Sequence, residues 1–153
     1  MNNENRLTFE DVINRDGALV YTNVGYSMMP LLRQRKDIIE IRKKPQERCR
    51  KYDVILYKRH NKYILHRIIK VLPDGYKVLG DHNTWFDKTV TDDMIIGVMS
   101  RVIRDGKSIT THNIWYKLYV HIWCDFYPIR FFMIKMKAFI YKCIRYIKRR
   151  VLG

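Results

Sequence analysis

The stretch Asp53–Gly80, DVILYKRHNKYILHRIIKVLPDGYKVLG, decides the fold class. Its runs DVILYKRH, KYILHRIIKV and GYKVLG are rich in Val, Ile and Tyr and follow one another with no long helix between them. His60-Asn61-Lys62 and Pro73-Asp74-Gly75 supply turn chemistry at the two joins, which predicts two hairpins and an antiparallel meander.

The same grammar extends in both directions. ALVYTNV (18–24) and DIIEIRKK (37–44) precede the meander, IIGVMSRVI (95–103) follows it, and RDGK (104–107) is a further turn. Closely spaced strands predict a mainly β protein, a compact, coiled antiparallel sheet domain over residues 17–108. In front of it, LTFEDVINR (7–15) predicts a short amphipathic helix in an N-terminal segment 1–16, with Thr8 as cap ahead of Asp11.

After Lys107 the pattern becomes helical. HNIWYKLYVHIWCDFY (112–127) is apolar nearly all round, and Pro128 breaks the run and starts a second helix. From there Ile129, Phe132, Met133, Met136, Ile140, Cys143, Ile144, Ile147 and Val151 recur at intervals of three and four. Residues 109–153 therefore predict a C-terminal pair of amphipathic helices, basic on the faces away from the apolar stripe.

Thirty Lys and Arg against fifteen Asp and Glu give a net charge of +15, which calls for an anionic partner. Three readings of the tail compete. It is a pair of core helices with solvated charges, an anchor lying along anionic lipid headgroups, or a nucleic-acid surface. Lys137, Lys142, Arg145, Lys148 and Arg149 beside the interfacial rings Trp115, Trp123, Tyr116, Tyr119 and Tyr127 favour the peripheral membrane anchor. No base-reading motif accompanies the charge, so nucleic acid is the weaker partner.

The three cysteines, Cys49, Cys124 and Cys143, are widely spaced and form no CxxC pair, so reduced thiols are expected and no metal or cofactor is called for. The acidic, polar start has no secretory pattern, and no uninterrupted apolar run is long enough for a conventional transmembrane helix.

GYSMMP (25–30) places a serine where a β-leaning run gives way to a charged segment. Ser27 is read as a turn residue, a helix cap or a nucleophile, and only partners decide among these. A serine attacks a carbonyl when a base takes its proton and donors steady the oxyanion. Of the five histidines, His66 in ILHRII lies in a strand, where alternation aims it away from Leu65 and Arg67. His82 is its nearest rival.

Ser27-Met28-Met29-Pro30, YDVILYK (52–58), His66-Arg67 and GDHNTWFDKTV (80–90) occur in that order, followed by IIGVMSRV. Over residues 24–102 the chain resembles the LexA/signal-peptidase clan of serine proteases, most closely the His-type branch of archaea and the endoplasmic reticulum. The resemblance implies Ser27 as nucleophile and His66 as general base. It also implies Asp87 as the acid that holds His66, with Asp81 ordering the loop or sharing that role. Backbone N–H groups of Ser27 and Met28 are the expected oxyanion donors, and Tyr26, Met28 and Pro30 the expected flanks of the substrate groove. Gly25 is expected to give the turn its freedom. Tyr26 departs from the small residue common before the nucleophile, and Tyr52 from the family's glycine.

The implied activity is endopeptidase cleavage of a leader or pro-segment in a peptide or preprotein at a membrane. The positive tail favours the cytoplasmic side whereas ordinary signal peptidases work on the outer face, so the sequence leaves the face open. A catalytically inactive membrane adaptor of the same fold and a LexA-like stress regulator are the alternatives. The sequence gives no oligomeric state.

Overall fold

The computed structural model describes residues 7–151. Residues 1–6 of the predicted N-terminal segment, and the side chains of Tyr127, Ile129 and Val151 in the predicted tail, lie outside what is described.

Helix α1 (Phe9–Asp16) begins in a capping box. The Thr8 hydroxyl accepts from Asp11 N at 3.2 Å, and the Asp11 carboxylate accepts from Thr8 N at 2.9 Å. Gly17, at φ 74°, ends the helix in the left-handed region that glycine tolerates. The helix is not a separate segment: Ile13 is buried, Glu10 pairs with Lys58 at 2.9 Å, and Phe9 stacks on Tyr63 with centroids 4.5 Å apart. An isolated eight-residue helix is unstable without such tertiary packing.

Seven strands form one antiparallel sheet: β1 (Ala18–Thr22), β2 (Ile38–Lys43), β3 (Val54–Arg59), β4 (Lys62–Leu72), β5 (Gly75–Leu79), β6 (Ile95–Arg104) and β7 (Lys107–Thr110). Their order is β1-β2-β6-β3-β4-β5, with β7 paired to β6. The β3–β4 hairpin turns through His60 (φ 46°) and Asn61 (φ 60°), and the β6–β7 hairpin through Asp105 (φ 49°) and Gly106 (φ 77°). Successive positive φ values mark the tight turns whose twist matches that of the strands. The turn after β6 is legible in the sequence. Strand β7 is not, because KSIT is short and carries one apolar residue, so it forms by pairing with β6 rather than by pattern.

Ile55, Tyr57, Ile68, Tyr76, Val78, Val90 and Ile95 build a core cluster, each fully buried large apolar side chain contributing about 1.5–3 kcal/mol. At the centre of β4, Leu65, His66, Arg67 and Ile68 are all buried, so both faces of the sheet are covered there.

The chain divides into two compact units, the first ending at Lys117 and the second beginning at Leu118. β7 and the first turn of α2 (Ile114–Asp125) fall in the first unit. Tyr116 in that turn is buried, and its hydroxyl accepts from Arg67 Nη1 at 3.1 Å. In the second unit α2 continues to Asp125 and α3 runs over Tyr127–Val151, with Pro128 in the first turn of α3, where its missing N–H costs nothing. Among the described residues no helix is long and apolar enough to cross a membrane. All three cysteines are free thiols.

Candidate active site

Ser27 sits in the loop that joins β1 to β2. Met29 N donates to Tyr26 O at 3.0 Å and Leu32 N to Met28 O at 2.9 Å, so the loop closes into tight turns around the serine. Met28 and Leu32 plug into the core below. The Met29–Pro30 peptide is cis. At the loop's far end, fully buried Asp37 accepts from Arg33 N at 2.8 Å, Arg33 Nε at 2.9 Å and Arg104 Nε at 3.1 Å, which fastens the loop's return into β2.

Two expectations for this loop need correction. Met28 is 1% exposed, so its side chain supports the loop from beneath rather than flanking an open groove. Tyr26, 62% exposed, and the exposed Pro30 remain available as flanks. Gly25 has no left-handed φ, and a Cβ there would meet nothing within 4 Å, so the backbone does not require glycine at that position.

Gly80 is the glycine the site requires. A Cβ on it would lie 2.7 Å from Ser27 O, 2.9 Å from His66 Nε2 and 2.9 Å from Asn83 Nδ2. One point therefore touches the serine's backbone, the imidazole and the acidic box. His82 N donates to Ser27 O at 2.7 Å and stitches the box to the serine loop, so the main chain of His82 serves this site.

Strand register places His66 opposite Ile55, and Tyr57, two residues along β3, shares that face. His66 is 6% exposed, and its Nδ1 meets Asp87 Oδ2 in a short contact. The carboxylate accepts, so the hydrogen belongs on Nδ1, and Nε2 is the basic nitrogen on the Ser27 side. Asp87 lies in an irregular loop held by Asp87 N to Val78 O at 3.1 Å. Its Oδ2 also accepts from the Tyr57 hydroxyl at 2.9 Å.

Asp81 has a different place. Arg67 Nε and Nη2 donate to its two oxygens at 2.9 and 2.7 Å, with both side chains fully buried. Arg67 Nη1 also donates to Tyr52 O at 2.9 Å. Tyr52 stands at φ 79°, which explains why glycine suits that position and what holds a tyrosine there.

Among the described residues, no hydrogen bond joins Ser27 Oγ to His66, and the N–H groups of Ser27 and Met28 donate to no protein acceptor. No group of three or more His, Cys, Asp or Glu side chains is gathered to hold a metal ion among those residues. No protein-family model and no curated protein sequence matches the chain.

Tyr57 and Gly80 were not legible as site residues. Tyr57 reads as one more strand aromatic, and only the pairing of β3 with β4 brings it to Asp87. Gly80 reads as a turn glycine until the serine loop is folded over it.

Proposed function

We propose that the protein is a serine endopeptidase of the signal-peptidase type that removes a leader or pro-segment at a membrane surface. The observation that carries this reading is the Asp87–His66 contact, which turns Nε2 toward the Ser27 loop. Neutral His66 takes the Ser27 proton as Oγ attacks the scissile carbonyl, and returns it to the leaving amine. Asp87 holds the tautomer and stabilises the imidazolium. The undonated N–H groups of Ser27 and Met28 steady the oxyanion in this reading, each such donor being worth about 3 kcal/mol of barrier. The open Ser27–His66 spacing is compatible with this chemistry, since such hydrogen bonds tighten when substrate binds.

An extended peptide has an edge to pair with, because β1 is the terminal strand of the sheet and leads into the nucleophile loop. Tyr26 and Pro30 then flank the cleft and Tyr26 limits the pocket beside Ser27. The coiled sheet architecture of that clan belongs to the same proposal.

The membrane location rests on α3. It carries eight Lys and Arg and no acidic residue. Phe132, Met133, Phe139, Ile140, Ile144 and Ile147 are exposed along its apolar side, and Trp115 in α2 is also exposed. Such a helix suits an anionic lipid surface, each cation near it contributing roughly 1 kcal/mol.

The test is labelling with a fluorophosphonate and cleavage of a peptide library on anionic liposomes, comparing wild type with Ser27→Ala and His66→Ala. The reading expects wild-type labelling at Ser27 and cleavage abolished in both variants. A catalytically inactive adaptor is favoured by the missing Ser27–His66 hydrogen bond. Unlabelled, inert wild-type protein that still binds liposomes would establish it.

A further inference from the structure

We propose that Tyr57 is a positioning residue for the His66–Asp87 pair, and that β3 holds the acid in place through Tyr57 and Arg59 together. This rests on the reading of His66 and Asp87 given above.

Asp87 has no strand ladder to fix it: the loop from Gly80 to Thr89 is irregular, and Asp87's only backbone hydrogen bond among the described residues runs to Val78 O. Two residues of β3 supply what the loop lacks. Tyr57 donates its hydroxyl to Oδ2, the same oxygen that meets His66 Nδ1. Arg59 Nη2 donates to the carbonyls of Lys88 at 2.8 Å and Thr89 at 3.0 Å, pinning the chain just past the acid. The Arg59 guanidinium also lies over the Tyr57 ring, 5.5 Å from its centroid.

The geometry limits what the carboxylate can do. With Oδ2 held by a fixed phenol on one side, Asp87 cannot rotate toward water without breaking that bond, so the oxygen stays where His66 needs it. Tyr57 is fully buried, and its ring stands edge-on to His66 with centroids 6.3 Å apart. Burial, then the hydrogen bond to Asp87, push the Tyr57 phenol well above its usual range, so it remains a donor at any pH at which the protein works. Asp87 from the loop and Tyr57 from β3 meet the imidazole, and the Arg59 guanidinium lies on the Tyr57 ring.

The phenol also sets charge. By donating to Oδ2 it takes up part of the negative charge that faces His66 Nδ1, so removing the hydroxyl alone changes that contact, which a purely space-filling role for the ring would not do.

The test is NMR of the His66 Nδ1 proton and its exchange with solvent in the full chain, comparing wild type, Tyr57→Phe and Tyr76→Phe. Tyr76 is also buried and donates to an aspartate, Asp92 Oδ1 at 2.9 Å, which is not part of this site. The expected result is at least tenfold faster solvent exchange of the Nδ1 proton in Tyr57→Phe and no change in Tyr76→Phe, with kcat lowered about tenfold at constant KM in Tyr57→Phe alone. Should Tyr57→Phe fail to fold, 3-fluorotyrosine at position 57, a stronger donor of nearly the same shape, is expected to move the Nδ1 proton resonance while its exchange stays slow. An unchanged Nδ1 proton in the folded variant would overturn the proposal. The measurement needs no substrate, so a change in a protein that cleaves nothing would support Tyr57's role while removing the peptidase reading.

Discussion

Arg67 and Asp81 form a two-point ion pair with no solvent exposure on either side chain, one residue along β4 from His66. The pair ties β4 to the start of the acidic box. It also gathers Tyr52 O and the Tyr116 hydroxyl through Arg67 Nη1.

Breaking this pair on one side strands a buried charge. Asp81→Asn is expected to cost about 3–5 kcal/mol in urea unfolding, and Asp81→Asn/Arg67→Met to recover part of that loss. A single variant as stable as wild type would mean that water or another group replaces the partner.

Gly80→Ala separates activity from folding. The added methyl would press on Ser27 O, His66 Nε2 and Asn83 Nδ2 at 2.7–2.9 Å, distances that force the serine loop and the imidazole apart. We expect at least a hundredfold loss of cleavage, because small misplacements of reacting groups are that costly. Fluorophosphonate labelling rates, with circular dichroism as the control for folding, measure it.

Tyr52→Gly is expected to stabilise the protein. A non-glycine residue at φ 79° carries roughly 1–2 kcal/mol of backbone strain, and glycine gives back about 0.5–1 in unfolded-state entropy. The net gain of about 0.5–1 kcal/mol is read from the urea midpoint at constant slope.

Acid should unfold the sheet in a defined window. Glu40 is nearly buried between Ser100 Oγ at 2.6 Å, Arg101 Nε at 2.8 Å and Arg42 Nε at 2.9 Å. The Ser100 hydroxyl first, and the two guanidinium groups after it, outweigh burial and lower its pKa from 4.5 to about 2. A carboxyl depressed in the folded state stabilises above its unfolded pKa and loses that contribution as pH falls through the folded one. Glu40 thus supplies about 3 kcal/mol near neutrality that disappears between pH 4.5 and pH 2. Asp53, raised by burial, acts in the opposite sense and offsets part of the loss. Glu40→Gln should flatten the stability curve over that range, as urea unfolding at a series of pH values will show.

Membrane binding by α3 should be electrostatic. Replacing Lys137, Lys142, Arg145 and Lys148 by Gln removes roughly 4 kcal/mol of attraction to anionic vesicles. Sedimentation with phosphatidylserine vesicles should fall by more than a hundredfold in affinity, and wild-type binding should weaken steeply with salt.

Much of the sheet is legible because its strands carry their own turns. Asn61, Asp74 and Asp105-Gly106 fix where the chain reverses, and pairing then follows from alternation. The boundary near residue 117 was hidden for the opposite reason. Tyr116 reads as part of an aromatic run in the tail, and the guanidinium of Arg67, forty-nine positions earlier, ties it to the sheet. The candidate site shows the same division. Ser27, His66 and Asp87 have chemically distinctive side chains at readable positions. The roles of Tyr57, Gly80 and Asp81 depend on which face of which strand they meet, and no local pattern carries that information.

Strand β6 has neighbours on both of its edges: Ile39 meets Val102 on one side, and Ile55 meets Val98 on the other. It is also made after every strand but β7. During synthesis the β3–β4–β5 meander can form from local contacts, whereas β1 and β2 wait for residues 95–104 before they join it. The serine loop hangs between those two waiting strands. The His66 strand can therefore be in place before Ser27 is delivered to it, and a ribosome-bound nascent chain stays without its serine loop in position until the last strands of the sheet emerge.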